Sequence, residues 1–200
     1  MHPNPAFRWK DRAAMRAYVD QVAFGALFVA TPEGPRVVHL PVTWSGEDAL
    51  AFHLARANDV TPHLAGATAL FVAQGPDAYV SPGWYGQGPQ EVPTWNYVAV
   101  ELEGTVQPID RALLRAQIET LGERHEGRFH PEAPWTLDKV EPEAAEKMLD
   151  AIQGFTLTIH AWRGTAKLGQ NKPAHARLAA ADALERTGNG AIAQLMRSAS

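Results

Sequence analysis

The sequence predicts a mainly β fold with peripheral helices, built on an antiparallel sheet or barrel. Three observations point there. About six strand-like segments succeed one another, most of them joined by turns and not by crossover helices. The helical segments cluster at the start, the middle and the end of the chain. The composition, 46% hydrophobic and 20% charged over 200 residues, is that of a globular chain. Such a chain buries roughly 70% of its unfolded surface around one core.

Asp11 caps a first helix whose apolar face is Met15, Tyr18, Val19 and Val22, and Gly25 stops it. Gly25 to Thr31 reads as a buried strand, 32–35 as a turn, and Arg36 to Thr43 as the partner strand. After a turn at 45–48, Ala49 to Leu54 is a third strand, Thr61 to Leu64 a short helix, and Ala67 to Gln74 a fourth strand. Residues 75–93 are crowded with Gly and Pro and predict a long irregular loop. The span from Tyr79 to Tyr97 carries half of the chain's Trp and Tyr, which argues against disorder there. Trp95 to Gln107 alternates, with Val98, Val100, Leu102 and Val106 on one face. Asp110 caps a helix with the stripe Leu114, Ile118 and Leu121. Residues 126–140 read as loop, and 142–152 as a helix closed by Gly154. Phe155 to Trp162 is the last strand and 163–172 a polar loop. Pro173 starts a helix running to about Glu185, followed by a turn and a short terminal helix. The organisation expected is a single domain over 1–200 with a helical tail at about 173–198.

Several function classes fall away. The chain has no cysteine, which removes disulfides, thiolate metal sites and cysteine nucleophiles and suits a reducing cytoplasm. Lys plus Arg is 18 against 22 for Asp plus Glu, a net charge of −4, unlike a dedicated nucleic-acid binder. No apolar run approaches the roughly 20 residues of a membrane helix, and 1–12 shows no secretory h-region. His125 and His130 are five apart with Gly127 between them, not the four-residue helical spacing of a zinc protease, so no metal site is expected. Dinucleotide, P-loop and nucleophile-elbow motifs are missing. Helix-turn-helix geometry at 173–196 would leave a second helix of about seven residues with one Arg, and a docking tail is expected instead.

Four stretches carry chemistry. His39-Leu40-Pro41 ends a strand. In 52–59, His53, Arg56 and Asn58 cluster before a short helix, and phosphates favour Arg and helix N-termini. An Arg paired with a surface acid beside a hydrogen-bonded core His would give the same pattern. In 93–97, Thr94, Trp95, Asn96 and Tyr97 mix flat apolar faces with an amide, as a fused aromatic ring with a polar edge requires. Aromatic packing of the loop is the alternative. In 167–173, Lys167, Gln170, Asn171 and Lys172 put two cations and two amides in one loop, and a solvated loop reads alike.

In this order, HLP (39–41), HLARAN (53–58), YVSPGWY (79–85), VPTWNY (92–97), IQGF (152–155) and KLGQNK (167–172) resemble the PaiB-type family of FMN-binding negative transcriptional regulators over nearly the whole chain. Departures are His2 for Tyr, Asp59 for Pro, Gly169 for Ser and Lys172 for Arg. The resemblance implies a six-stranded antiparallel split β-barrel like that of pyridoxamine-phosphate-oxidase-like flavoproteins. It implies a homodimer with FMN at the subunit interface. The phosphate is then expected near His53, Leu54, Ala55, Arg56 and Asn58. The ring is expected near His39 and Leu40 and near Thr94, Trp95, Asn96 and Tyr97, with Lys167, Gln170 and Asn171 closing the site. Two functions remain open: a cytoplasmic negative transcriptional regulator with a DNA or regulatory partner, or an FMN-dependent oxidoreductase of the pyridoxamine-phosphate-oxidase-like or haem-utilisation type.

Overall fold

A computed structural model describes residues 2–88 and 90–199. Pro89, within the expected irregular loop, lies outside them. One sheet contains eight strands: β1 (Arg8–Trp9), β2 (Phe24–Thr31), β3 (Gly34–Pro41), β4 (Thr43–Trp44), β5 (Ala49–Ala55), β6 (Thr68–Val80), β7 (Thr94–Pro108) and β8 (Ile152–Lys167). The helices are α1 (Arg12–Val22), α2 (Arg111–Phe129), α3 (Pro142–Asp150), α4 (Ala174–Arg186) and α5 (Gly190–Ser198). The strand order is β3-β2-β6-β7-β8-β5-β4, with β1 added against β8. β2 pairs antiparallel with β3 and β6, and β8 antiparallel with β5 and β1.

The expected six strands are therefore corrected to eight in an open sheet. The two additional strands, β1 and β4, are two residues each and too short to show periodicity. Several boundaries also differ. β6 continues through Gly75 and Pro76 to Val80, where a loop was expected. The β2 pairing ends at Val72, so Pro76 has no β2 acceptor to serve. α2 runs through 126–129, where a loop was also expected, since a helix interior tolerates Gly127 at a cost of about 1 kcal/mol. The first helix ends at Val22 because Ala23 takes φ 54°, not because of Gly25, which lies inside β2. The helix at 142 stops at Asp150, and β8 takes residues 152–167, absorbing Gly154 and most of the expected polar loop. Arg8↔Thr165 and Trp9↔Gly164 supply the partner that makes 163–167 a strand.

The chain divides into two compact units, 1–16 with 74–101 and 163–200, and 17–73 with 102–162. In the first, α4 buries Ala176, Ala180, Ala181, Ala183 and Leu184, and α5 buries Ile192, Ala193 and Met196. Arg197 of α5 reaches Asp182 and Glu185 of α4 at 2.9 and 2.6 Å. In the second, Asp110 caps α2 by accepting from Leu113 N at 2.9 Å. Leu114, Leu137, Ala145 and Leu149 form a core to which Ile109, Ile118 and Ile152 are added.

Gly154 matters to that packing. It pairs with His53 across β5 and β8. A Cβ there would stand 2.7 Å from Ile109 Cγ1 and 3.1 Å from Leu114 Cδ1, so only glycine lets the start of α2 come down on the strand.

Candidate functional site

The first unit holds a cleft of about 220 Å³. Thr94 and Asn96 of β7, Lys167 of β8, and Asn171 and Lys172 of the following turn line it, with Phe7 and Tyr85 among the remaining wall residues. Alternation along β7 buries Asn96 to 1% exposure and leaves Trp95 56% exposed. Trp95 meets Tyr79 edge to face at 6.3 Å, an aromatic pair open to the outside.

The turn after β8 is fixed from within. Gln170 accepts from Leu168 N at 2.8 Å and donates to Ala166 O at 2.6 Å. Gly169 sits at φ +81°, left-handed backbone that glycine adopts without strain. Gln170 is thus a scaffold, while Asn171 remains on the cleft wall.

Two polar groups of the cleft differ from the rest in what the described residues give them. Asn96 Nδ2 donates to Met196 Sδ at 3.3 Å, but its Oδ1 is buried with no hydrogen-bond partner among the described residues. An acceptor left bare in this way costs about 1–3 kcal/mol. Lys167 donates to the Thr94 hydroxyl and lies 5.8 Å from the Phe7 ring, with no carboxylate beside it among the described residues. Desolvation holds its pKa below the ordinary lysine value. Lys172 differs, being paired with Glu91 and lying 5.2 Å over the Tyr85 ring. Burial, and then the Glu91 charge, push the Tyr85 phenol up.

In the second unit the structure keeps His53, Arg56 and Asn58 together but ties them inward. Arg56 Nε donates to Asp150 O at 2.9 Å, and Nη1 to Gln153 Oε1 at 2.6 Å. Nη2 is left without a partner among the described residues. Asn58 Oδ1 accepts from Val60 N at 2.9 Å, and Asn58 O from Thr61 N at 2.9 Å. The expected short helix is a single 3-10 turn, Thr61–His63, and those bonds already use its leading donors. The helix N-terminus expected to face a phosphate is therefore not on offer. His53 Nδ1 is 2.8 Å from Gln117 Oε1. Leu54 is buried and Ala55 exposed.

His39 and Leu40 divide by strand alternation: Leu40 is in the core at 1% exposure, and His39 points out from β3. A hollow of about 260 Å³ along α2 holds none of the residues singled out from sequence, and its Arg115 stands 3.8 Å from its own Glu119.

Sequence reasoning did not single out Gln117 or Glu91, and it read Tyr85 within YVSPGWY without giving it a place in the site. Gln117 had a signal, a polar side chain three residues after Leu114 in an otherwise apolar stripe. Glu91 had none.

The cleft suits a ligand with a polar, amide-like edge and negative charge: among the described residues it offers a bare buried acceptor and a cation with no carboxylate beside it. FMN has those features. Comparison with known proteins points the same way. The family model described as "Putative FMN-binding domain" matches residues 1–161. The chain is 30% identical over 159 residues to the Protease synthase and sporulation protein PAI 2 of Bacillus subtilis, covering 78% of this chain and 75% of that one. A Saccharomyces cerevisiae protein, YKL070W, is 34% identical over 113 residues, 52% of this chain and 66% of its own. Among solved structures, the FAD and Heme binding protein from Mycobacterium smegmatis superposes with a TM-score of 0.62 at 19% identity, over 80% of this chain and 73% of that one. The Flavocytochrome Anf3 from Azotobacter vinelandii gives 0.60 at 16% identity, over 83% and 72%. These two structures share the fold. The chain belongs to the PaiB-type FMN-binding family, and FMN is the cofactor of that family. Among the described residues no helix is long and apolar enough to cross a membrane.

Proposed function

We propose that this is a cytoplasmic flavoprotein, a homodimer of split-barrel chains holding about one FMN per chain, that serves as a negative transcriptional regulator. The observation that carries the flavin assignment is Asn96 Oδ1, a buried acceptor without a partner on the wall of a cleft. It suits an N–H donor on the polar edge of the ring. Thr94, Lys167 and Asn171 supply the other polar groups of that cleft, and Phe7 and Tyr85 the ring area on its wall, while Trp95 and Tyr97 lie on the other face of β7. Within the 53–58 segment, the remaining Nη2 of Arg56 suits a phosphate.

The dimer reading has its own support. The outward side of β2 shows Phe24 and Phe28 at 52% and 42% exposure, and β3 adds Val37 at 44%. Phe28 lies opposite Val37 on one side and Leu70 of β6 on the other, and Ala26 lies between His39 and Val72. That is a continuous apolar face over three strands, of the kind that marks an interaction surface. A second copy seated there would cover His39. A cleft of about 220 Å³ is also smaller than the roughly 300–1,000 Å³ usual for ligand sites, as expected of a site that a partner subunit completes.

Regulation would run through a partner and not through groove reading by the tail. The one arginine of α5, Arg197, is held by Asp182 and Glu185. A second reading, an FMN-dependent oxidoreductase, is favoured by Lys167. Bound FMN supplies electron or hydride transfer, and Lys167 gives the cleft a positive charge that favours uptake of negative charge there. FMN titration by fluorescence quenching, with light scattering for the dimer, tests the main reading. Saturation near one FMN per chain supports it, and no binding overturns it. Turnover of reduced nicotinamide by the loaded dimer would favour the oxidoreductase.

A further inference from the structure

Gln117 is 4% exposed and occupies a core-facing position of α2, one turn from Leu114 and three residues from Thr120. An apolar side chain would satisfy that position better, because the amide's Nε2 is buried without a partner. Its Oε1 makes one hydrogen bond among the described residues, at 2.8 Å to His53 Nδ1. The approach is arranged by Gly154, which pairs with His53 and lets Ile109 and Leu114 close on β8. An amide oxygen only accepts, so the His53 nitrogen facing it must carry the proton. In the neutral ring the other nitrogen, Nε2, then keeps its lone pair. No protein group among the described residues meets that atom.

We propose that Gln117 is a positioning residue that holds neutral His53 as the Nδ1–H tautomer, so that Nε2 accepts a hydrogen bond from a ligand hydroxyl. This rests on the reading that the 53–58 segment contacts FMN, and it deepens that reading. A lone pair on Nε2 suits a ribityl hydroxyl and not a phosphate oxygen, which is itself an acceptor. His53 and Arg56 are thereby given different parts of the cofactor.

The test uses the full chain. Nitrogen-15 NMR of the imidazole is recorded without flavin for the wild type, Gln117→Leu and Gln117→Glu, and FMN and riboflavin affinities are measured for the wild type, His53→Ala and Arg56→Ala. Expected are an Nδ1–H signature in the wild type, its loss in Gln117→Leu and its retention in Gln117→Glu, whose carboxylate still accepts. His53→Ala should weaken FMN and riboflavin alike, by roughly three- to tenfold for one hydrogen bond. Arg56→Ala should weaken FMN alone. An Nε2–H signature in the wild type would overturn the positioning role whatever the affinities. A His53→Ala penalty confined to FMN would overturn the hydroxyl assignment. If the tautomer is as stated but His53→Ala changes neither affinity, Gln117 still orients His53 and the placement of FMN at 53–58 fails.

Discussion

In the second unit, Arg56 commits two of its nitrogens to Asp150 O and Gln153, Asn58 caps its own turn, and His53 is bound to Gln117. In the first unit, Asn96 keeps a bare buried oxygen, and Lys167 keeps a charge with only a hydroxyl and a ring beside it. Both stretches are signature segments of one family, yet their polar atoms are used differently. The 53–58 segment folds itself and leaves single donors or acceptors over. The cleft carries unmet polar demand, which destabilises the chain until a ligand meets it. Changes in the second unit should therefore register first as stability, and changes in the cleft as affinity.

The largest expected effect is on the second unit. Gly154→Val places carbon where Ile109 and Leu114 pack, and overpacking should lower unfolding stability by about 3 kcal/mol in denaturant titration. Asn96→Leu should raise the FMN dissociation constant by roughly ten- to a hundredfold, the loss of a buried hydrogen bond to the ligand, with stability within about 1 kcal/mol of wild type. A comparable loss of stability and affinity together would erase the contrast between the regions. Arg56→Ala should cost about 1 kcal/mol of stability through the two bonds it makes to the 150–153 segment.

Lys167→Met sharpens the contrast in the opposite direction. Desolvation lowers the pKa of Lys167 below its unfolded value, so the folded chain binds fewer protons there than the unfolded chain. Charged Lys167 is then a stability cost at neutral pH, and the cost fades as pH rises through the lowered folded pKa. The variant should melt slightly higher than wild type at pH 7, with the gap closing at alkaline pH, while binding FMN more weakly. A wild type that melts higher at neutral pH would contradict this. Least of all, Lys172→Gln breaks a pair with Glu91 whose side chains are 24% and 17% exposed. It should change thermal stability by no more than about 1 kcal/mol.

Much of this was legible in the sequence. Asp110 signals the start of α2, alternation along 95–107 identifies β7, and HLARAN and VPTWNY mark both polar clusters. Three things were not. β1 and β4 exist only by pairing, since two residues carry no period. The extension of β8 through 163–167 needs β1 and the sheet around it, which a polar local sequence does not show. The Gln117–His53 bond joins residues 64 apart and depends on the absence of a side chain at Gly154. Local pattern identifies the elements; long-range contacts decide which polar atoms remain free.

The central claim is that FMN's polar edge is read by the Asn96 cleft. Its most direct test is FMN titration of the wild type against Asn96→Leu, followed by flavin fluorescence at matched stability. Saturation near one FMN per wild-type chain, with at least tenfold weaker binding in the variant, is the predicted result. Equal affinity in the two proteins, or no saturable binding in the wild type, would contradict it.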